Sequence, residues 1–281
     1  AAARAAAAPA SGMYRSQALF TAGLAAGVAA FLLYELRGRG GAAAIGGARD
    51  GQRPAGPSSG TWGPHTAPID WCEANYAVTA LAAEFWNTGT CAFYVAAGAR
   101  ALLDAKRPEG APACFTLYAV ALMMTGICSA VFHATLWWWG QKTDEIAENI
   151  TLLALLYMQS ERGALLTSVH SLFLCAGTIG IPQLFTELHV AALVAGLLHV
   201  YHGAAARHAS LRPPVRNGAI FGLLGFGCWL ADKALCSAVQ SLQLHAWWHL
   251  LTALAIYQVG HVALLLHSLE GGSKRPRSKL E

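Results

Sequence analysis

Residues 115–132 read FTLYAVALMMTGICSAVF, and this stretch decides the class of fold. It follows Pro112, contains no charged residue, and is long enough for a helix to cross the hydrocarbon part of a bilayer. The whole chain has the same character, since 55% of its 281 residues are apolar and only 12% are charged. An ordinary soluble domain has about 25% charged residues. The composition therefore excludes a soluble enzyme, a disordered protein and a nucleic-acid-binding protein.

Further apolar segments of similar length lie before and after this stretch. They predict an all-α fold, a polytopic membrane protein with a seven-helix transmembrane bundle plus one additional N-terminal transmembrane helix. Eight spans return the chain to the side of the membrane on which it starts. Because most Lys and Arg residues fall on that side, it is expected to face the cytosol or the matrix. The predicted spans lie at about 16–36, 82–103, 112–136, 143–160, 164–181, 186–206, 216–236 and 244–268.

The composition also divides the chain into segments. Residues 1–36 hold the added helix, which is interpreted as an anchor, with an uncleaved signal or import sequence as the alternative. Residues 37–68 form a linker rich in Gly, Ala and Pro, residues 69–270 form the seven-span domain, and residues 271–281 form a basic tail.

The remaining polar residues gather at the membrane side opposite the chain ends. Ionisable groups in a membrane are costly, so a cluster at one depth predicts a functional site. Its members are Asp70, Glu73, Asn75, Glu84, His133, Asp144, Glu145, Asp232, His245 and His249.

Three histidines of this cluster predict a metal site. His245 and His249 are four residues apart, so one helix face presents both imidazoles. Such a pair is also compatible with a helix end among the interfacial residues Trp247 and Trp248. His133 ends another span on the same side, and three His ligands with one open position are typical of catalytic zinc.

Ser129 and Asp144 are candidates for catalysis beside that metal. Ser129 precedes His133 by four residues, and its hydroxyl could donate to an oxyanion or simply bond to the carbonyl one turn back. Asp144 begins the next predicted span, where it could position and deprotonate a water molecule or act as a helix cap.

A second group of oxygen donors precedes the span at 82–103. Alternating oxygen donors followed by a further carboxylate suit a hard cation such as calcium, although acidic residues before a helix also serve as caps. The donors are Asp70, Trp71 through its carbonyl, Glu73, Asn75 and Glu84.

Three stretches of this chain resemble the signature sequences of the alkaline ceramidases, intramembrane zinc amidases with seven spans. They are WGPHTAPIDWCEANYAVTALAAEFWNT at 62–88, CSAVFHATLWWWGQKTDE at 128–145 and QLHAWWHLLTAL at 243–254. The family is similar, more distantly, to the adiponectin-receptor group. The resemblance implies zinc binding by the three histidines, catalysis by Ser129 and Asp144, and calcium binding by the five donors of residues 70–84.

The seven cysteines contain no CxxC pattern. Five lie in predicted spans and are interpreted as small apolar residues: Cys91, Cys114, Cys128, Cys175 and Cys228. Cys72 and Cys236 lie outside the spans, and by resemblance to the family they are expected to form a disulfide on a non-reducing side of the membrane.

The resemblance thus implies hydrolysis of the N-acyl amide bond of ceramide or a related bilayer lipid, giving a sphingoid base and a fatty acid. A different hypothesis is an accessory subunit of a larger membrane complex, docked through residues 16–36, and a third is a receptor-like protein. The family resemblance favours the endoplasmic reticulum or Golgi, with the mitochondrial inner membrane as the alternative. The excess of Lys and Arg on the side of the chain ends puts the site on the non-cytosolic or non-matrix face.

Overall fold

The computed structural model describes residues 59–105, 113–158, 201 and 203–271. The predicted spans at 16–36 and 164–181, most of the span at 186–206, residues 37–58 and residues 272–281 of the basic tail lie outside the described residues. The proposed docking segment at 16–36 is among them.

The described residues are mostly helical. A short antiparallel hairpin pairs Ser59 with Pro64 and Gly60 with Gly63. The 3₁₀ turns are Ala209–Leu211 and Gln240–Leu242. The regular elements are β1 (Ser59–Gly60), β2 (Gly63–Pro64), α1 (Phe85–Thr90), α2 (Ala92–Ala105), α3 (Ala113–Thr135), α4 (Trp138–Tyr157), α5 (Arg212–Ala234), α6 (Cys236–Val239) and α7 (Leu244–Gly271).

The membrane character of the chain is confirmed by two of these helices. Within the described residues, α3 and the Leu244–Leu269 part of α7 are long and apolar enough to cross a bilayer. Residues Ala209–Ala234 with Cys236–Leu242 also qualify if the pair, bent by 112°, counts as one span. The structure therefore supports two or three spans in the part of the chain that it describes, which are fewer than the sequence predicts there.

Two predicted spans differ from the observed helices. The segment at 82–103 is interrupted at Cys91, so α1 and α2 replace one continuous span. The segment at 143–160 belongs to a helix that begins earlier, at Trp138, and whose first half carries several charged side chains. Asp144 consequently lies inside α4 and does not cap it.

Close packing of α2 against α3 depends on glycine. A Cβ atom on Gly98 would approach the Ala119 carbonyl oxygen to 2.7 Å, and one on Gly126 would approach the Cys91 carbonyl oxygen to 2.7 Å. Larger residues at these two positions would push the helices apart. Gly126 is one turn before Ser129, so this contact sets the distance between the broken helix and the polar end of α3.

The buried apolar core lies where α2, α3, α4 and α7 pack against one another. Tyr94, Tyr118, Leu122 and Leu155 are each at most 2% exposed and belong to one cluster with α7 residues such as Val262. Because lipid tails are as apolar as these side chains, the cluster holds the helices together through close van der Waals packing.

A tight turn at Leu136 connects α3 to α4. Leu136 has a φ of 49°, in the left-handed region that often ends helices, and its amide donates to the Phe132 carbonyl at 2.7 Å. Its side chain is fully buried, and its carbonyl accepts hydrogen bonds from the amides of Thr66 and Ala67, each at 2.9 Å. These contacts hold a strained backbone that brings the start of α4 back toward the end of α3.

Residues 59–68, at the end of the predicted linker, are part of the folded unit. The Trp62 indole donates to the Leu81 carbonyl at 2.7 Å, and the Trp137 indole donates to the Trp62 carbonyl at 3.2 Å. The segment that leads to α1 is thereby fastened to the α3–α4 turn.

Candidate metal and catalytic site

Three histidines converge at one end of the helices. His133 lies in the last turn of α3, and His245 and His249 occupy successive turns at the start of α7. All three are at most 3% exposed. Their ring centroids are 5.1 Å apart for His133 and His245, 4.9 Å for His133 and His249, and 4.7 Å for His245 and His249. The structure therefore brings together the three residues that the sequence predicts as zinc ligands.

Glu84 orients the His133 ring. Its Oε2 lies 2.5 Å from His133 Nδ1, and because a carboxylate oxygen accepts, Nδ1 carries the proton. The carboxylate is fully buried and also accepts from the Trp71 amide at 2.8 Å and from the Asn87 side-chain amide at 3.1 Å. This bond leaves Nε2 of His133 as the nitrogen with a free lone pair, the usual pattern for a histidine that binds a metal.

His249 is surrounded by residues near the helix break. Its Nδ1 lies 3.0 Å from Thr90 Oγ1 and 3.7 Å from Cys91 Sγ. The ring of Tyr94 packs against it with centroids 5.8 Å apart, and the Tyr94 hydroxyl is hydrogen-bonded to Thr252. The break between α1 and α2 thus supplies the surroundings of this imidazole.

His245 is held from two sides. Its ring stacks on Trp71 with centroids 3.8 Å apart, and its amide donates to Asp232 Oδ1 at 3.3 Å. Its Nδ1 is buried and has no hydrogen-bond partner among the described residues. A buried nitrogen in that state is available to an added ligand.

Cys91 is closer to this site than the sequence indicates. Among the described residues, ligand atoms of Cys91, His133 and His249 lie within 4.8 Å of one another. Cys91 is fully buried, as a small apolar residue would be, and it also borders the histidines; His245 is not part of this group of ligand atoms. The available signal was its spacing, because Glu84, Asn87 and Cys91 follow the i, i+3, i+7 pattern of one helix face.

Ser129 and Asp144 form a pair beside the histidines. The Ser129 hydroxyl donates to Asp144 Oδ2 at 3.3 Å, and both side chains are buried. The other carboxylate oxygen, Oδ1, is buried without a hydrogen-bond partner in the described structure. Ser129 is four residues before His133 on α3, so these two share one end of that helix, and Asp144 reaches Ser129 from α4.

The residues predicted to bind calcium lie in one folded segment. Asn75 donates from Nδ2 to Asp70, at 3.2 Å to Oδ1 and 3.1 Å to Oδ2, while Asn75 Oδ1 is buried without a partner among the described residues. Trp71 is joined to this group because its amide bonds to Glu84. An unpaired amide oxygen beside buried carboxylates fits a hard cation.

Glu73 also acts as a helix cap. Its two carboxylate oxygens accept hydrogen bonds from the amides of Trp86 at 2.8 Å and Asn87 at 3.0 Å, which are free at the start of α1. Burial raises the pKa of Glu73 from 4.5 to about 7, although these two hydrogen bonds oppose the rise. A divalent cation beside the carboxylate would lower that pKa again.

A disulfide connects this segment to α6, and Asp232 connects it to α7. Cys72 is bonded to Cys236, with Cα atoms 5.3 Å apart. Asp232 Oδ2 accepts from the Cys72 amide at 3.1 Å while its Oδ1 accepts from the His245 amide. One buried carboxylate therefore braces the donor segment against the helix that carries two of the histidines, a role that the sequence does not reveal.

The arrangement suits metal-assisted hydrolysis. Three buried imidazoles offer neutral nitrogen ligands, a serine hydroxyl offers a hydrogen-bond donor, and a carboxylate offers a proton acceptor. The surrounding helices exclude water, which strengthens each electrostatic interaction in the site.

Comparisons with known proteins identify the family of this chain. The profile of the family described as Ceramidase matches residues 63–280. Alkaline ceramidase 3 of Mus musculus is 29% identical over 228 residues, which cover 73% of this chain and 85% of the mouse protein. An alkaline ceramidase of Saccharomyces cerevisiae is 26% identical over 248 residues, with 73% and 78% covered, and one of Arabidopsis thaliana is 27% identical over 221 residues, with 71% and 83% covered.

Proposed function

Since the chain belongs to the ceramidase family, we propose that it is a membrane-embedded hydrolase that cleaves the N-acyl amide bond of ceramide-type lipids. The products are a sphingoid base and a fatty acid. The observation that carries this proposal is the convergence of His133, His245 and His249 beside the Ser129–Asp144 pair.

His133, His245 and His249 are the proposed ligands of a zinc ion. Glu84 leaves Nε2 of His133 available, and the unpaired buried Nδ1 of His245 fits an added ligand. When bound, zinc supplies Lewis-acid activation of a water molecule and of the amide carbonyl.

Asp144 is the proposed carrier of the proton. In the reaction the water oxygen forms a bond to the acyl carbon, the amide C–N bond breaks, and one proton must move from water to the leaving nitrogen. Oδ1 of Asp144 is free to accept that proton and then to donate it to the amine.

Ser129 is the proposed donor to the oxyanion. Its hydrogen points to Asp144 Oδ2 in the described structure. When Asp144 accepts a proton it becomes a weaker acceptor, and the Ser129 hydroxyl can turn to the developing negative charge on the substrate oxygen. Proton transfer and oxyanion stabilisation would then occur together.

Calcium is the proposed second ion, held by Asp70, Trp71 through its carbonyl, Glu73, Asn75 and Glu84. The unpaired Asn75 Oδ1 and the three buried carboxylates support this assignment. Its role is structural, because Glu84 contacts His133 and fixed donors in residues 70–84 would keep that contact in place.

The polar end of the helices is proposed to face away from the cytosol, in the endoplasmic reticulum or Golgi. The disulfide between Cys72 and Cys236 supports this orientation because disulfides persist on non-reducing sides of membranes. Cysteine labelling of the purified, unreduced protein tests the pairing, and a reactive Cys72 thiol in native membranes would contradict the orientation.

Substitution of one histidine tests the catalytic proposal. His249→Ala should lose bound zinc and ceramide hydrolysis together, as measured by metal analysis and fatty-acid release. His261→Ala is the matched control, since it changes a histidine three turns further along α7, and it should keep both properties. Hydrolysis by the metal-free His249→Ala protein would refute the mechanism.

A further inference from the structure

The break between α1 and α2 places hydrogen-bond acceptors around one nitrogen of His249. Nδ1 of His249 lies 3.0 Å from Thr90 Oγ1 and 3.7 Å from Cys91 Sγ. His249 is 2% exposed, so water does not replace these partners. Thr90 and Cys91 therefore determine whether Nδ1 carries a proton.

The hydrogen bonds of Thr90 determine the direction of its contact with His249. The single hydroxyl hydrogen is directed to carbonyl oxygens of the preceding turn, that of Trp86 at 2.8 Å and that of Asn87 at 3.1 Å. Since a hydroxyl has one hydrogen and two lone pairs, Oγ1 accepts from His249. Nδ1 must then carry the proton.

Cys91 does not compete for this role. Its thiol donates to the Asn87 carbonyl at 3.1 Å, and its sulfur, a weak acceptor, is 3.7 Å from His249 Nδ1. The shorter contact and the stronger acceptor both belong to Thr90.

We propose that Thr90 is a positioning residue that holds His249 in the tautomer with the proton on Nδ1, so that Nε2 is presented to the metal. Thr90 then does for His249 what Glu84 does for His133, with a hydroxyl in place of a carboxylate. A neutral acceptor adds no negative charge beside the second histidine, so only one of the two imidazoles receives carboxylate support. The identity of the metal rests on the proposed function, while the tautomer does not.

Nitrogen-15 NMR of the metal-free full-length protein, labelled at histidine, tests the tautomer directly. A His249→Ala sample identifies the His249 signals. Wild type and Thr90→Ser, which keeps a hydroxyl, should both show a protonated Nδ1, whereas Thr90→Val, which has the same shape and no acceptor, should shift toward a mixture of tautomers. Cys91→Ala should leave the His249 signals at the wild-type positions.

Zinc affinity, measured by competition with a chelator, provides the second readout. Thr90→Val should bind zinc about 10-fold more weakly, as expected for loss of an outer-shell partner, and Thr90→Ser should restore most of that loss. An unchanged tautomer in Thr90→Val, or a tautomer change in Cys91→Ala instead, would overturn the proposal. If wild type bound no metal, the proposed function would fail while the NMR measurement still decided the role of Thr90.

Discussion

Replacing Glu84 by glutamine removes the charge beside His133 while keeping the shape of the side chain. Within the described residues, the Glu84 carboxylate accepts hydrogen bonds from the Trp71 amide, the Asn87 side-chain amide and His133 Nδ1. Glutamine offers one acceptor oxygen and one NH₂ group. Whichever way its amide is turned, the NH₂ group faces at least one of these donors.

These contacts determine how much Glu84→Gln lowers the stability of the fold and the affinity for zinc. Leaving one buried donor unsatisfied costs about 1–3 kcal/mol, and Glu84→Gln should lower the free energy of unfolding by that amount. The bond to His133 also changes from charge-assisted to neutral, which roughly halves its strength. Loss of such support weakens metal binding by about 10- to 100-fold, so a similar decrease in zinc affinity is expected.

Chelator competition in calcium-free buffer and thermal unfolding in detergent measure the two effects separately. Asp104→Asn is the matched control, since Asp104 is also buried and accepts hydrogen bonds, from Tyr257 at 2.7 Å and from Arg100 at 3.1 Å, but lies at the far end of α2. It should lower stability and leave zinc affinity unchanged. Equal zinc affinities for Glu84→Gln and Asp104→Asn would refute the reasoning.

Three further predictions concern the catalytic pair, the calcium donors and the disulfide. Ser129→Ala and Asp144→Asn should each lower kcat about 100-fold or more with zinc retained, as fatty-acid release and metal analysis would show; near-normal turnover in either variant excludes its assigned role. Asn75→Ala should weaken calcium binding in titration calorimetry and reduce the rise of the Tm on calcium addition, and an unaltered calcium affinity would remove Asn75 from the site. Changing Cys72 and Cys236 together to Ser should lower the free energy of unfolding by about 2–5 kcal/mol, and an unchanged Tm would contradict this.

The histidines were predictable because their spacing is enforced by helix geometry. A separation of four residues places His245 and His249 on one face of α7 whatever the rest of the fold does. Ser129 and His133 share a face of α3 for the same reason. The apolar composition of α3 and α7 likewise predicts two long helices directly.

The break at Cys91 was not predictable from hydropathy. Residues 82–103 are apolar enough to read as one span, and no local pattern marks Cys91, the single residue that separates α1 from α2. A cysteine in an apolar stretch usually fills space, and only the folded chain shows that Cys91 borders the histidines.

The start of α4 depends on long-range contacts. Hydropathy predicts a span from residue 143 because Gly140, Gln141 and Lys142 are not apolar, but it does not mark where a helix begins. The observed start at Trp138 is fixed by the left-handed Leu136 and by the Thr66 hydroxyl, which accepts from the Trp138 amide at 2.9 Å. A partner that far away in sequence leaves no local pattern.

The bond between Cys72 and Cys236 closes a covalent ring across a sequence separation of 164 residues. Ser129, His133 and Asp144 lie inside the ring, whereas His245 and His249 lie beyond it. A single proteolytic cut between residues 73 and 235 would therefore leave both fragments linked, with all three histidines on one covalent assembly. Such a nicked molecule would migrate as one species on a non-reducing gel and as two on a reducing gel.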